Sequence, residues 1–120
     1  MTRLNNALKD RLAQSSELTI TVTGRKSGRA ISIPIWFALE GDTLYLLPVQ
    51  GSDTQWYKNV LSNPKIRIEA GSAKAEITAT PVTDAKQVKS VIEKFRSKYG
   101  AGEVKKYYSK LDVAVIAHLP

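Results

Sequence analysis

Three features of the 120-residue chain predict an α+β barrel of about six mostly antiparallel strands with flanking helices. Apolar residues alternate with a period of two through most of the chain, and glycine turns at Gly24, Gly28, Gly41 and Gly71 join successive runs. The helical period is confined to the start and to the stretch between the last two strands, whereas a parallel doubly wound sheet would alternate strand and helix throughout. At this length, residues 1–120 form one domain around a single core.

Leu4, Ala7, Leu8 and Leu12 fall at helical spacing, with Thr2 as candidate N-cap, so an amphipathic first helix is expected. From Leu18 the period becomes two: Leu18, Ile20 and Val22 share one face and Thr19, Thr21 and Thr23 the other. After the turn, Ile31, Ile33, Ile35, Phe37 and Leu39 are expected on the core face of a long second strand. Pro34 within it cannot donate to a ladder, which marks a bulge, an edge or a ligand's place. Thr43 to Val49 then reads as a third strand, which makes a meander.

The polar loop 50–54 leads into a short helix over 55–61, with Ser52 or Asp53 as cap and Asn63-Pro64 as its stop. A second hairpin follows over 65–69 and 73–82, turning at Gly71-Ser72, with Ile66, Ile68, Ile77 and Ala79 directed to the core and Pro81 closing it. Val88, Val91, Ile92, Phe95 and Tyr99 mark the best helix, capped by Thr83 or Asp84 and ended by Gly100. A helical turn within 103–110 and a nearly continuous apolar run over 111–119 complete the chain; so apolar a strand belongs in the middle of a sheet.

Composition excludes several chemistries. The chain has no cysteine, which removes disulfides, thiolate metal sites and cysteine nucleophiles. His118 is the single histidine, no HExxH or G-x-S-x-G motif is present, and the acids do not gather at ligand spacing, so no metal site and no catalytic triad is expected. Neither a secretory signal nor an 18-residue apolar span is visible, and a cytoplasmic location with no integral membrane segment is the expectation. A net charge of +7 favours an anionic partner. Residues 84–110 carry eight cationic and three acidic side chains, the pattern of a solvated helix face.

The densest charge is Thr23-Gly24-Arg25-Lys26-Ser27-Gly28-Arg29, a hairpin tip with three cations. It is not a Walker A loop, because the lysine precedes the second glycine and a strand follows. Arg25, Lys26 and Arg29 with the turn amides can hold a phosphate or carboxylate by charge-assisted bonds; a solvated turn has the same composition. Trp56-Tyr57-Lys58-Asn59 follows a glycine loop at a strand end, where aromatic rings and an amide can flank a planar heterocycle or pack in the core. A small basic protein binding nucleic acid is the rival class, but the basic and aromatic interleaving of RNA modules is missing.

In order, T-G-R-K-S-G-R, Pro34 with Phe37, the Gly41-Asp42 turn, the glycine loop, W-Y-x-N and N-P resemble the deazaflavin (F420)-dependent nitroreductase and quinone reductase family, clearly over residues 18–70 and loosely beyond. The resemblance implies a split β-barrel, as in the pyridoxamine-phosphate-oxidase and flavin reductase barrels. It also implies a homodimer and a reductase that passes a hydride from F420 to a quinone, nitroaromatic or activated alkene. By position, Arg25, Lys26, Ser27 and Gly28 would meet the cofactor phosphate or tail, and Pro34, Val49, Gln50, Gly51, Trp56 and Tyr57 would border the groove and ring. Asn59 would brace the loop, and Tyr107 and Tyr108 would stand on the substrate side. Ile31, Val49, Gln50 and a shorter loop before Trp56 depart from the family pattern, which keeps an FMN-binding reductase of the same fold as the alternative. With a cofactor carrying the chemistry, no catalytic side chain is required of the chain.

Overall fold

The computed structural model describes residues 3–120, with side chains from residue 7 onward. The expected Thr2 cap and the Leu4 side chain lie outside the described residues. Helix α1 (Arg3–Ala13) is followed by β1 (Leu18–Thr23), β2 (Ala30–Ile35), β3 (Ala38–Glu40) and β4 (Thr43–Leu46). A 3₁₀ turn (Gly51–Asp53) leads into α2 (Gln55–Ser62), and β5 (Lys65–Ala70) and β6 (Ala73–Val82) form the second hairpin. Helices α3 (Ala85–Tyr99) and α4 (Ala101–Tyr107) precede β7 (Ala114–His118).

All strand pairs are antiparallel, in the order β2-β1-β5-β6-β7-β4-β3. β2 and β3, at opposite ends of that order, are separated only by Trp36 and Phe37, so two residues of chain, at most about 3.6 Å each, draw the two ends together and curl the sheet into a split barrel. The expected long second strand is thus one strand bent in two. Its first half pairs with β1 and its second with β4, which satisfies the meander in separate halves of the sheet and raises the strand count from six to seven. β6 is shared in the same way: residues 73–78 pair with β5 and residues 79–82 with β7, so Pro81 lies inside a strand rather than closing it.

Leu8 and Leu12 of α1 join Ile20, Phe37, Leu44, Leu46, Ile68 and Val115 in the barrel interior. A second apolar layer packs Val88, Val91 and Phe95 of α3 and Val104 of α4 against Ala38, Leu47 and Ala114. β7 pairs on both sides, as its apolar run requires. Ile66, Ile68, Ile77 and Ala79 are buried as expected. Asp84 caps α3 by accepting from the Gln87 amide at 3.0 Å, and Gly100 ends it at φ 94°.

One core assignment is corrected. Phe37 is fully buried, but Ile33, Ile35 and Leu39 are half-buried and Ile31 is 40% exposed. β2 lies at the end of the strand order, so among the described residues no further strand covers this part of it; the period of two identifies a face but not what lies against it. The same position explains Pro34, since a strand paired on one side has amides to spare.

Candidate functional site

The hairpin tip is built by two backbone bonds, Gly24 amide to Arg29 carbonyl and Gly28 amide to Gly24 carbonyl, both 2.8 Å. Gly28 takes φ 71°, which a side chain disfavours, and the Ser27 hydroxyl accepts from the Arg29 amide at 3.2 Å. Lys26 and Arg29 are exposed at the tip. Arg25 is engaged: its guanidinium donates to Asn59 Oδ1 and Gln55 Oε1, each at 2.8 Å, and its amide also donates to Asn59 Oδ1, at 3.1 Å. Asn59, 4% exposed, thus braces the hairpin tip rather than the loop before Trp56. Arg25 therefore ties the tip to α2 as well as bringing positive charge there.

Neither proposed cap serves α2. Thr54 occupies the N-cap position without a side-chain bond to the helix, and its hydroxyl accepts from the Gln50 amide at 2.8 Å. Ser52 instead bonds Asp112, through its amide at 2.9 Å and its hydroxyl at 2.6 Å. Lys110 Nζ lies 3.1 Å from Asp53, and Val49 and Gln50 pair with Ser109 and Lys110 across a backbone bridge. These contacts hold the Asp112 carboxyl below its ordinary range, chiefly through the Ser52 hydroxyl. Gly51, at φ 55°, lies so close that a Cβ there would collide with the Asp112 carboxylate and approach the Lys110 carbonyl to 2.9 Å. The loop after β4 is thereby fastened to the segment before β7.

Between these parts lies a groove of about 600 Å³. Ile33, Pro34, Ile35 and Trp36 form one wall, Leu47, Val49 and Thr54 to Trp56 another, and Glu103, Tyr107 and Tyr108 of the α4 region a third, with Glu17 at the margin. Of the residues singled out in the sequence, Pro34, Val49, Trp56, Tyr107 and Tyr108 line it together. Lys26, Ser27 and Gly28 stand at the hairpin tip outside the groove lining, and beside them Arg25 bonds the lining residue Gln55. Gln50 and Gly51 face the 110–112 segment. Trp56 and Tyr57 are both buried in the barrel cluster, and Tyr57 is corrected from the groove: only Trp56 also lines it, because adjacent residues of a helix diverge by about 100°.

Trp36, Glu17 and Glu103 were not anticipated. Trp36 stacks on Tyr99 with ring centroids 4.1 Å apart and meets Tyr107 edge-on at 5.5 Å. The Tyr99 hydroxyl donates to the Ser16 carbonyl at 2.6 Å, stands 2.9 Å from the Phe37 carbonyl, and accepts from the Phe37 amide at 3.1 Å. This hub secures the bend between β2 and β3. Burial pushes the Tyr99 and Tyr108 phenols up, so both stay neutral hydroxyls across the physiological range. A large aromatic on the expected solvent face of a strand was the signal for Trp36.

An apolar, aromatic-walled groove suits a planar ring whose chemistry is its own. The chain is 29% identical over 68 residues to an F420H(2)-dependent quinone reductase of Mycobacterium tuberculosis, a match covering 54% of this chain and 46% of that one; it spans about half the length of the curated relatives it matches. An F420-H2 dependent reductase structure superposes with a TM-score of 0.67 at 21% identity, covering 86% of this chain and 94% of the other. A structure described as a domain-swapped dimer gives 0.68 at 21% identity, covering 86% and 80%. A family model matches residues 9–115, and the chain belongs to that family, described as an uncharacterized protein conserved in bacteria (DUF2255).

Proposed function

We propose that the protein is a reductase that binds F420 in the groove and passes a hydride to a quinone, nitroaromatic or activated alkene. One observation carries the reading: Pro34, Val49, Trp56, Tyr107 and Tyr108, distant in sequence, meet on a single groove of about 600 Å³. The quinone reductase relative supports the cofactor choice. The residues fit such a group: β2, Trp36 and Trp56 offer apolar and aromatic walls to a ring, and the outer edge of β2, at the end of the strand order, offers backbone groups to its polar rim. Arg25, held at Gln55, and Lys26 beyond it would attract the phosphate and tail, with the Ser27 and Gly28 backbone beside them.

The bound cofactor supplies the hydride. The chain would hold the ring between the β2 wall, Trp36 and Trp56, with Tyr107 and the neutral Tyr108 forming the third wall. Homodimerisation belongs to the same reading, because the β2 edge leaves Ile31 exposed and Ile33 and Ile35 half-covered, and one similar structure is a dimer. Light scattering of the purified protein tests it, and a monomer at about 50 μM, a concentration at which a contact worth roughly 6 kcal/mol would hold, would remove that part.

Titration with oxidised F420 and, separately, FMN, followed by fluorescence, tests the cofactor. F420 is expected to bind below about 100 μM, a binding energy of roughly 5 to 6 kcal/mol. Tighter binding of FMN would move the protein to the flavin alternative, and binding of neither would end the reductase reading.

A further inference from the structure

The acidic side chains that line the groove are two glutamates, Glu17 and Glu103, and no lysine or arginine is among the described lining residues. Strand register locates Glu17. Leu18 is opposite Ile35 and Thr23 opposite Ala30, so Glu17, just before Leu18, stands at the end of the β1-β2 ribbon remote from the cationic tip. Five residue steps at about 3.3 Å put roughly 17 Å between the two ends. Glu103 belongs to the Glu17 end: Tyr107, one helical turn on, meets Trp36, the neighbour of Ile35. Arg25 meets the groove at its other end, through Gln55. The charge that lines the groove is therefore acidic and sits at the Trp36-Tyr107 end, with Lys98 behind that end on the Phe37 carbonyl at 3.0 Å and Arg25 beyond the other. Lys106, 5.2 Å from the Tyr107 ring centroid, is exposed and does not line it.

From this placement of charge, and resting on the reductase reading above, we infer that Glu17 and Glu103 set acceptor specificity: the acceptor taken at the Trp36-Tyr107 end is an uncharged or cationic planar molecule, and anionic acceptors are excluded. Carboxylates at the mouth of an apolar slot repel an anion most strongly where the ligand has displaced the screening water. The apolar and aromatic walls give every planar ring the same attraction, so the charge of its substituents decides between them.

The test needs no cofactor and no turnover. Trp36 and Trp56 both line the groove, so tryptophan quenching reports titration with a neutral naphthoquinone and with the same ring bearing a sulfonate. Wild-type protein is expected to prefer the neutral ring, and the E17Q/E103Q double variant to lower that preference by at least about fivefold, with added salt lowering it more in wild type than in the double variant. The single variants E17Q and E103Q give the same ratio, each in part, should the double variant not fold. A neutral-to-sulfonate ratio unchanged by the substitutions, or failure of the neutral quinone to bind wild-type protein, would overturn the inference. Failure of F420 to bind would sink the cofactor reading and leave this comparison decided on its own terms.

Discussion

Gly51→Ala measures how firmly the loop bordering the groove is fastened. Gly51 has φ 55°, a left-handed conformation that costs an alanine about 1 kcal/mol. The added Cβ also collides with the Asp112 carboxylate and comes within 2.9 Å of the Lys110 carbonyl, which the bridge to Gln50 holds in place. The carboxylate has to move, and its two bonds from Ser52 are lost or lengthened. Charge-assisted bonds are worth about 1.5 kcal/mol or more each when shielded, and roughly half that at this partly exposed site. The sum is about 2 to 3 kcal/mol, or a fall of roughly 10 °C in Tm for a domain of this size. Urea unfolding of wild type, Gly51→Ala and Gly28→Ala provides the measurement. Gly28 has φ 71°, and a methyl group added there would meet nothing within 4 Å, so its substitution bears only the conformational cost of about 1 kcal/mol. Equal losses in the two variants would refute the argument that the close approach to Asp112, rather than backbone conformation, makes Gly51 necessary.

Three further outcomes follow from the geometry. Arg25→Ala should lower stability by about 1 to 2 kcal/mol, because the buried Asn59 carbonyl loses its guanidinium partner, and also weaken F420; Lys26→Ala should weaken F420 alone. Unfolding and binding titrations on the two single variants separate these effects, and equal stability of both would show that Arg25 is not a brace. Tyr99→Phe should cost about 1 to 3 kcal/mol and alter Trp36 emission, since the Phe37 amide loses its acceptor at the bend; an unchanged unfolding curve would refute the hub. Asp112 has a lowered folded-state pKa, so its contribution is present above the ordinary carboxylate value near 3.8 and is lost as pH falls through the still lower folded value. The wild-type stability advantage over Asp112→Asn should shrink as pH drops below about 4, and a difference constant from about pH 6 to about pH 3 would contradict this.

Most of the fold was legible because its signals are local. Alternation identified the strands, Gly28, Gly41 and Gly71 their turns, and the Thr83-Asp84 pair and Gly100 the limits of α3, since each depends on a few neighbouring residues; the structure chose Asp84 as the cap. The candidate site was legible in part. Pro34 and Trp56 stood out as a proline within a strand run and an aromatic after a glycine loop, and both line the groove. Tyr57 had the same local credentials and does not reach the groove, since neighbouring helix positions face different ways. Ser52 looked like a helix cap and bonds Asp112, 60 residues away.

The sequence by itself determined the α+β class, the central final strand and the concentration of positive charge at residues 25–29, because periodicity, turn chemistry and charge can be read within a short window. Tertiary structure alone decided that the second strand bends at Trp36-Phe37, that Ile31 faces outward, and that Arg25 commits its guanidinium to Gln55 and Asn59. It also decided that Glu17 and Glu103, unremarkable in the sequence, share one groove. The physical reason is common to all of these: what lies opposite a side chain depends on how the sheet curls and closes, a property of chain segments far apart in sequence that no local pattern encodes.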